Sequence, residues 1–241
     1  MNRFNIAIID YWSTSGRSFL HRAGPAAKVM MAACFVAAVV ITRQIPLLAI
    51  IYTTCVLLLA AARVPPLKVM AIAAYPTIFV LLFVISAWDG TWTTPARLFG
   101  RALAGALTLV TLLATTPYPR VFGLVSRVLP RIVGEALFLT YRAVFVLLDM
   151  AGELVTAARV RSGLQLHHPL VNLRNLSAAM GALLIHAIDR SERQFDIMAV
   201  RGYSDHVAAP GRPWNSLATD ILPIALGISA LAAAIILRWN R

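Results

Sequence analysis

Acidic residues are scarce in this chain, lysine is nearly absent and cysteine occurs twice. Asp and Glu together number 10 in 241 residues, and charged residues of all kinds make up 13%. A soluble domain carries about 25%, so the composition excludes an ordinary soluble protein and points to an integral membrane protein. Cys34 and Cys55 both lie in apolar runs. They build neither a disulfide framework nor a cysteine metal site, and read as small buried hydrophobes. No Gly-rich loop followed by Lys-Ser/Thr is present, so the chain is not expected to hydrolyse ATP. The opening residues do not read as a signal peptide, because Asp10, Arg17, His21 and Arg22 precede any apolar run. His167 and His168 are adjacent, and His21, His186 and His206 are scattered. None has metal-ligand spacing; they read as solvent-facing or interfacial, and no metal or other cofactor is expected.

What the chain does have is apolar length. Hydrophobic residues make up 59% of it, and about 20 in a row cross a bilayer. Spans are expected at about 26–42, 46–62, 67–87, 98–116 and 219–237. Lys28 would snorkel from the start of the first. The connectors Arg43-Gln44-Ile45 and Arg63-Val64-Pro65-Pro66 are short, so spans one to three are expected as tight antiparallel hairpins. Trp88 and Trp92 flank Asp89-Gly90, where an interfacial aromatic belt would sit. The N-terminal segment Phe4 to Leu20 reads as lying on the inner membrane surface or as contacting a partner.

The 22 basic residues set the orientation. With the N-terminus inside, 17 of them fall on inner segments and 5 on outer ones, a positive-inside bias. That bias explains the basic excess more economically than nucleic-acid binding, which is not expected. Residues 117–217 are then cytoplasmic. The expected fold is all-α: an integral membrane protein of about five transmembrane helices plus two long cytoplasmic helices. It divides into 1–116, 117–217 and 218–241.

Residues 131–163 read as one helix. Arg131, Glu135, Arg142, Asp149 and Glu153 are spaced by 4, 7, 7 and 4, which puts all five on one narrow face. Such a helix packs under or partly within the membrane domain, or spans as a sixth helix; Glu135 and Arg142 would be costly near the bilayer centre. A break at 164–173, around His167-His168-Pro169, precedes a second helix over about 174–201.

Each helix ends in arginine followed by glycine: Ala158-Arg159-Val160-Arg161-Ser162-Gly163 and Ala199-Val200-Arg201-Gly202. Glycine suits the left-handed position after a helix. The arginines admit two readings. One is simple complementarity to the helix dipole, about 0.3–1 kcal/mol. The other is projection into a groove of a partner, for which the guanidinium fork is suited. Two similar tips suggest two similar grooves.

Several stretches resemble one family. Tyr141-Arg142-Ala143-Val144-Phe145-Val146-Leu147-Leu148-Asp149, running on to Ala158-Arg159-Val160-Arg161-Ser162-Gly163, is similar to the first signature of the T component of energy-coupling-factor transporters. Arg190-Ser191-Glu192-Arg193-Gln194-Phe195-Asp196-Ile197-Met198-Ala199-Val200-Arg201-Gly202-Tyr203 resembles the second. Pro25-Ala26-Ala27-Lys28-Val29 resembles the Pro-x-x-Lys-Leu that opens the first span. The pattern looks closest to the CbiQ, or cobalt, branch. The resemblance implies a transmembrane scaffold in a bacterial cytoplasmic membrane. It would couple two CbiO-like ABC ATPases to a CbiM-like substrate-binding membrane subunit, and it admits a small accessory membrane subunit. It carries the coupling role to Arg161, Ser162, Arg201 and Gly202, with Arg159, Val160, Gly163 and Val200 as secondary candidates. Val160 and Val200 depart from the small residue usual before each arginine. The substrate metal is expected in the other subunit.

Cobalt is the expected cargo, with nickel or a vitamin as alternatives. A membrane-embedded enzyme would have to use Asp149 with Glu153, or Asp189 with Glu192, and neither pair comes with metal ligands. A self-contained channel lacks polar residues to line a pore.

Overall fold

The structure is a computed structural model that describes residues 13–14, 18–42, 44–86, 90–160, 169–203 and 217–239. Among these residues the regular structure is helical, with no strand. In chain order the helices are α1 (Phe19–Arg22), α2 (Pro25–Ile41), α3 (Ile45–Ala61), α4 (Pro66–Ser86), α5 (Thr93–Thr115), α6 (Tyr118–Val125), α7 (Arg131–Val160), α8 (Pro169–Val200) and α9 (Leu217–Trp239). The chain forms two compact units. The first comprises Met1–Val125 and Ala209–Arg241, the second Ser126–Ala208.

Proline sets many of the helix starts. Pro25, Pro66 and Pro169 are first residues of α2, α4 and α8, where the absent N–H has no intrahelical partner to lose. For this reason α8 begins at Pro169 rather than near 174, and the expected break is shorter. Pro119 likewise sits at the second position of α6, a short helix packed on α2. The fourth span starts at Thr93 rather than 98 and runs 23 residues.

Among the described residues, Leu67–Ile85, Thr93–Thr115, Leu170–Val200 and Thr219–Trp239 are long and apolar enough to cross a membrane. The third of these belongs to α8, which the sequence reading had placed outside the bilayer. α2 and α3 have 17 residues each, about 25 Å of helix, the lower limit for a span.

In the first unit α5 is the hub. It packs on α2, α3 and α4, and α2 packs in turn on α9. The expected tight hairpins are not formed: α3 packs far more extensively on α5 than on either sequence neighbour. Short connectors reverse the chain but do not choose lateral partners. The small residues of α5 do. Ala104, Leu107, Thr108, Thr111, Ala114 and Thr115 are all buried on one face. The hydroxyls of Thr108, Thr111 and Thr115 donate to the carbonyls of Ala104, Leu107 and Thr111 at 2.7–2.8 Å, so they enter the interface already satisfied. α4 offers a narrow seam of Val69, Ala73 and Thr77, while Ile78, Phe79, Leu82, Phe83 and Ile85 stay exposed as a lipid-facing surface would.

α9 lies close against α2. A Cβ on Gly227 would come within 2.9 Å of the Met31 Cα and 3.2 Å of the Cys34 Cβ. Cys55 is buried, Cys34 is half-buried and both are free, as read from the sequence. At the end of α3, Arg63 takes φ +56. Its amide donates to Ala60 and that of Val64 to Leu59, a Schellman closure with arginine in the left-handed seat.

Candidate functional site

The second arginine motif is a capped helix end. Gly202 has φ +77; its amide donates to the Ala199 carbonyl, and the Tyr203 amide to the Met198 carbonyl, both at 3.0 Å. This pair of bonds is the Schellman motif, and it makes Arg201 the last residue of the helical path. The Arg201 amide is shared between the Ile197 and Met198 carbonyls at 3.1 Å. Its side chain is exposed, and the preceding Val200 is 89% exposed. The tip therefore offers a cation and an apolar side chain on a backbone that the cap holds in place.

The same turn is tied to the start of α7. The Tyr203 hydroxyl donates to Glu135 Oε2 at 2.6 Å, while Glu135 Oε1 is buried with no hydrogen-bond partner among the described residues. Next to it Gly134 abuts the preceding turn so closely that a Cβ there would lie 2.5 Å from the Ser126 Cβ. Of the charged stripe, Arg142, Asp149 and Glu153 are exposed and Glu135 is half-buried. The end of α8 thus meets the beginning of α7.

The first motif lies at the other end. Arg159 is exposed and Val160 is 81% exposed in the last turn of α7. Arg161, Ser162 and Gly163 lie outside the described residues, as do His167, His168, His206, Arg43 and Trp88. The described part of the first motif, Arg159 and Val160, lies at the opposite end of α7 from Glu135. A straight helix from Glu135 to Val160 is about 38 Å long.

A second polar centre, unforeseen in the sequence, joins three helix ends of the first unit. Lys28 does not snorkel. It is 1% exposed and its Nζ donates to the Thr115 carbonyl at 2.9 Å, at the end of α5. Asp220, 4% exposed, accepts the Gly24 amide on Oδ1 at 2.6 Å and so caps the start of α2 from α9. At the opposite pole the Arg101 guanidinium of α5 donates to the Thr42 carbonyl just past α2. These bonds make α2 antiparallel to α5 and parallel to α9. His21 also departs from the solvent-facing expectation: it is buried, with Nδ1 2.7 Å from the Ser18 hydroxyl. No group of three His, Cys, Asp or Glu able to hold a metal occurs among the described residues. Asp149 and Glu153 are both exposed on α7.

Sequence reasoning missed the Glu135–Tyr203 pair and the Lys28–Asp220 centre. The glycine before Tyr203 signalled a Schellman closure, whose side-chain contact is with the same helix, and so gave no sign of Glu135.

These features define an all-α, multi-pass membrane protein with a separate unit built on two long helices. Compared with known families, residues 16–209 match CbiQ, the cobalt transport protein family, and the chain belongs to it. The family is one of transport components, so the chain has a transport role. No curated protein matches the chain.

Proposed function

We propose that this chain is the T subunit of an energy-coupling-factor transporter. In this reading it passes the movement of two ABC ATPases to a separate membrane subunit that has captured cobalt. Arg201 and Arg161 are the docking residues, with Gly202 and Ser162 as the small residues that let a partner surface approach. Arg159 and Gly163 support the first tip. The observation that carries this reading is the placing of the motifs: Arg201 is exposed on a capped helix end, and the other motif follows Val160 at the far end of α7. Two well-separated tips suit two ATPases. When an ATPase dimer closes on ATP, its grooves converge, and helices of 30 and 32 residues carry the displacement as rigid levers.

The bonds of the first unit support a cytoplasmic location for 117–217. Thr115 and Asp220 both sit at the N-terminal end of α2, so the chain between them leaves and returns at the same end. It therefore crosses the bilayer an even number of times, which argues against α7 alone as a sixth span. α7 carries Arg142, Asp149 and Glu153 and is not among the helices apolar enough to cross, which favours no crossing at all. The positive-inside count supports a cytoplasmic place for this end and for the N-terminus.

The test is co-purification and uptake. Arg201→Glu, Arg161→Glu and the double variant are expected to insert normally but to lose the ATPases and cobalt uptake. Wild-type uptake by the double variant would overturn the docking assignment. Competition of labelled cobalt by nickel distinguishes the two metals as cargo.

A further inference from the structure

We propose that Glu135 and Tyr203 form a latch that positions the Arg201 tip, and that the first tip has no equivalent. The inference rests on the reading that Arg201 docks an ATPase, and it names what holds that residue still.

Helix ends fray unless their last carbonyls are satisfied. Here the cap satisfies them and also fixes the Tyr203 backbone, because the Tyr203 amide is bonded to Met198. The phenol therefore leaves the helix end from a set position. Its hydroxyl reaches Glu135 Oε2 at 2.6 Å, the short range of a charge-assisted O–H···O⁻ bond. The second oxygen, Oε1, is buried and has no partner among the described residues. Losing the phenol would leave the carboxylate with no hydrogen bond among the described residues, an asymmetry that makes such bonds expensive to break. Glu135 is itself held firmly, since Gly134 lies hard against Ser126. The result is a continuous tie from the turn before α7, through Glu135 and Tyr203, to Gly202 and Arg201.

The first motif lacks this device. Tyr203 stands two residues after Arg201, whereas the residue two after Arg161 is Gly163, and Leu164 follows. No phenol or other hydrogen-bonding side chain occupies the matching place. The latch is therefore specific to the Arg201 tip, because the sequence of the first motif offers no phenol to form one.

The test uses the complete transporter in membranes. Cysteines are introduced beside each tip, Ala199→Cys and Ala157→Cys, and a short thiol–amine reagent links them to the ATPases. Tyr203→Phe and Glu135→Ala are each expected to lower linking from position 199 by about ten-fold or more, the worth of a bond to a charged group. Linking from position 157 should be unchanged. Glu135→Gln keeps an acceptor oxygen and should restore most of the signal at 199. Equal loss at both positions would mean general unfolding of the unit and overturn a positioning role. Unchanged linking at 199 in Tyr203→Phe would overturn the latch while leaving docking intact. Absence of linking at 199 in the parent would overturn the docking reading itself, and the latch with it.

Discussion

Replacing Asp220 should loosen the first unit more than any exposed charge could. The carboxylate is 4% exposed and accepts the Gly24 amide at 2.6 Å. In Asp220→Ala that amide, ahead of α2, loses its acceptor in a buried place, and Lys28 at 1% exposure loses the nearby carboxylate that acts on it electrostatically. A hydrogen bond to a charged group contributes about 1.5–3 kcal/mol. Because Lys28 keeps its bond to the Thr115 carbonyl and feels Asp220 only at longer range, the hydrogen bond dominates, and a loss at the upper end of that range, about 3 kcal/mol, is expected. For a chain of this size that corresponds to a fall of roughly 6–12 °C in the midpoint of thermal unfolding. It is read as loss of monodisperse protein after heating in mild detergent. Asp220→Asn retains an acceptor oxygen and should recover about half of the loss. The sharper measurement is the double variant Lys28→Met/Asp220→Asn. Removing both charges together should cost less than the sum of the single losses by at least ~0.5 kcal/mol, since each single variant strands the other group. Strict additivity, or an Asp220→Ala midpoint within 2 °C of the parent, would refute the claim that the two groups form one centre.

Two further outcomes are expected from the backbone. Gly227→Ala places a methyl within 2.9 Å of the Met31 Cα and should destabilise by about 1–3 kcal/mol. The control Gly105→Ala, which meets nothing within 4 Å, should be neutral or stabilising by up to ~1 kcal/mol in the same heating assay; equal effects would refute the close approach of α9 and α2. Arg63→Gly relieves a left-handed residue at φ +56 and should stabilise by about 1 kcal/mol, seen as a raised midpoint; a lowered one would show that the Arg63 side chain contributes more than its strain costs.

The local features were legible because they depend on neighbours along the chain. Run length placed the apolar helices to within a few residues, and the exception was the early start of α5. The Arg201-Gly202 ending was readable because only glycine enters the left-handed region without a Cβ penalty, and Gly202 is found there at φ +77. The family likeness, carried by the order of the two arginine motifs, agrees with the match over residues 16–209. Pro169 misled because position in the helix mattered more than presence: it starts a helix rather than interrupting one.

Sequence alone was enough to read an all-helical membrane protein, most of its helix ends and the family to which it belongs. These follow from composition, period and caps, which are properties of short stretches. Only the tertiary structure decided that α5 separates the first hairpins, that Lys28 is buried on a carbonyl 87 residues away, and that Tyr203 reaches Glu135 across 68 residues. Lateral partner choice turns on which small faces let two backbones approach. A polar side chain's fate turns on which helix end arrives beside it. Neither is encoded in the residues adjacent to it, so both become visible only when the helices are packed.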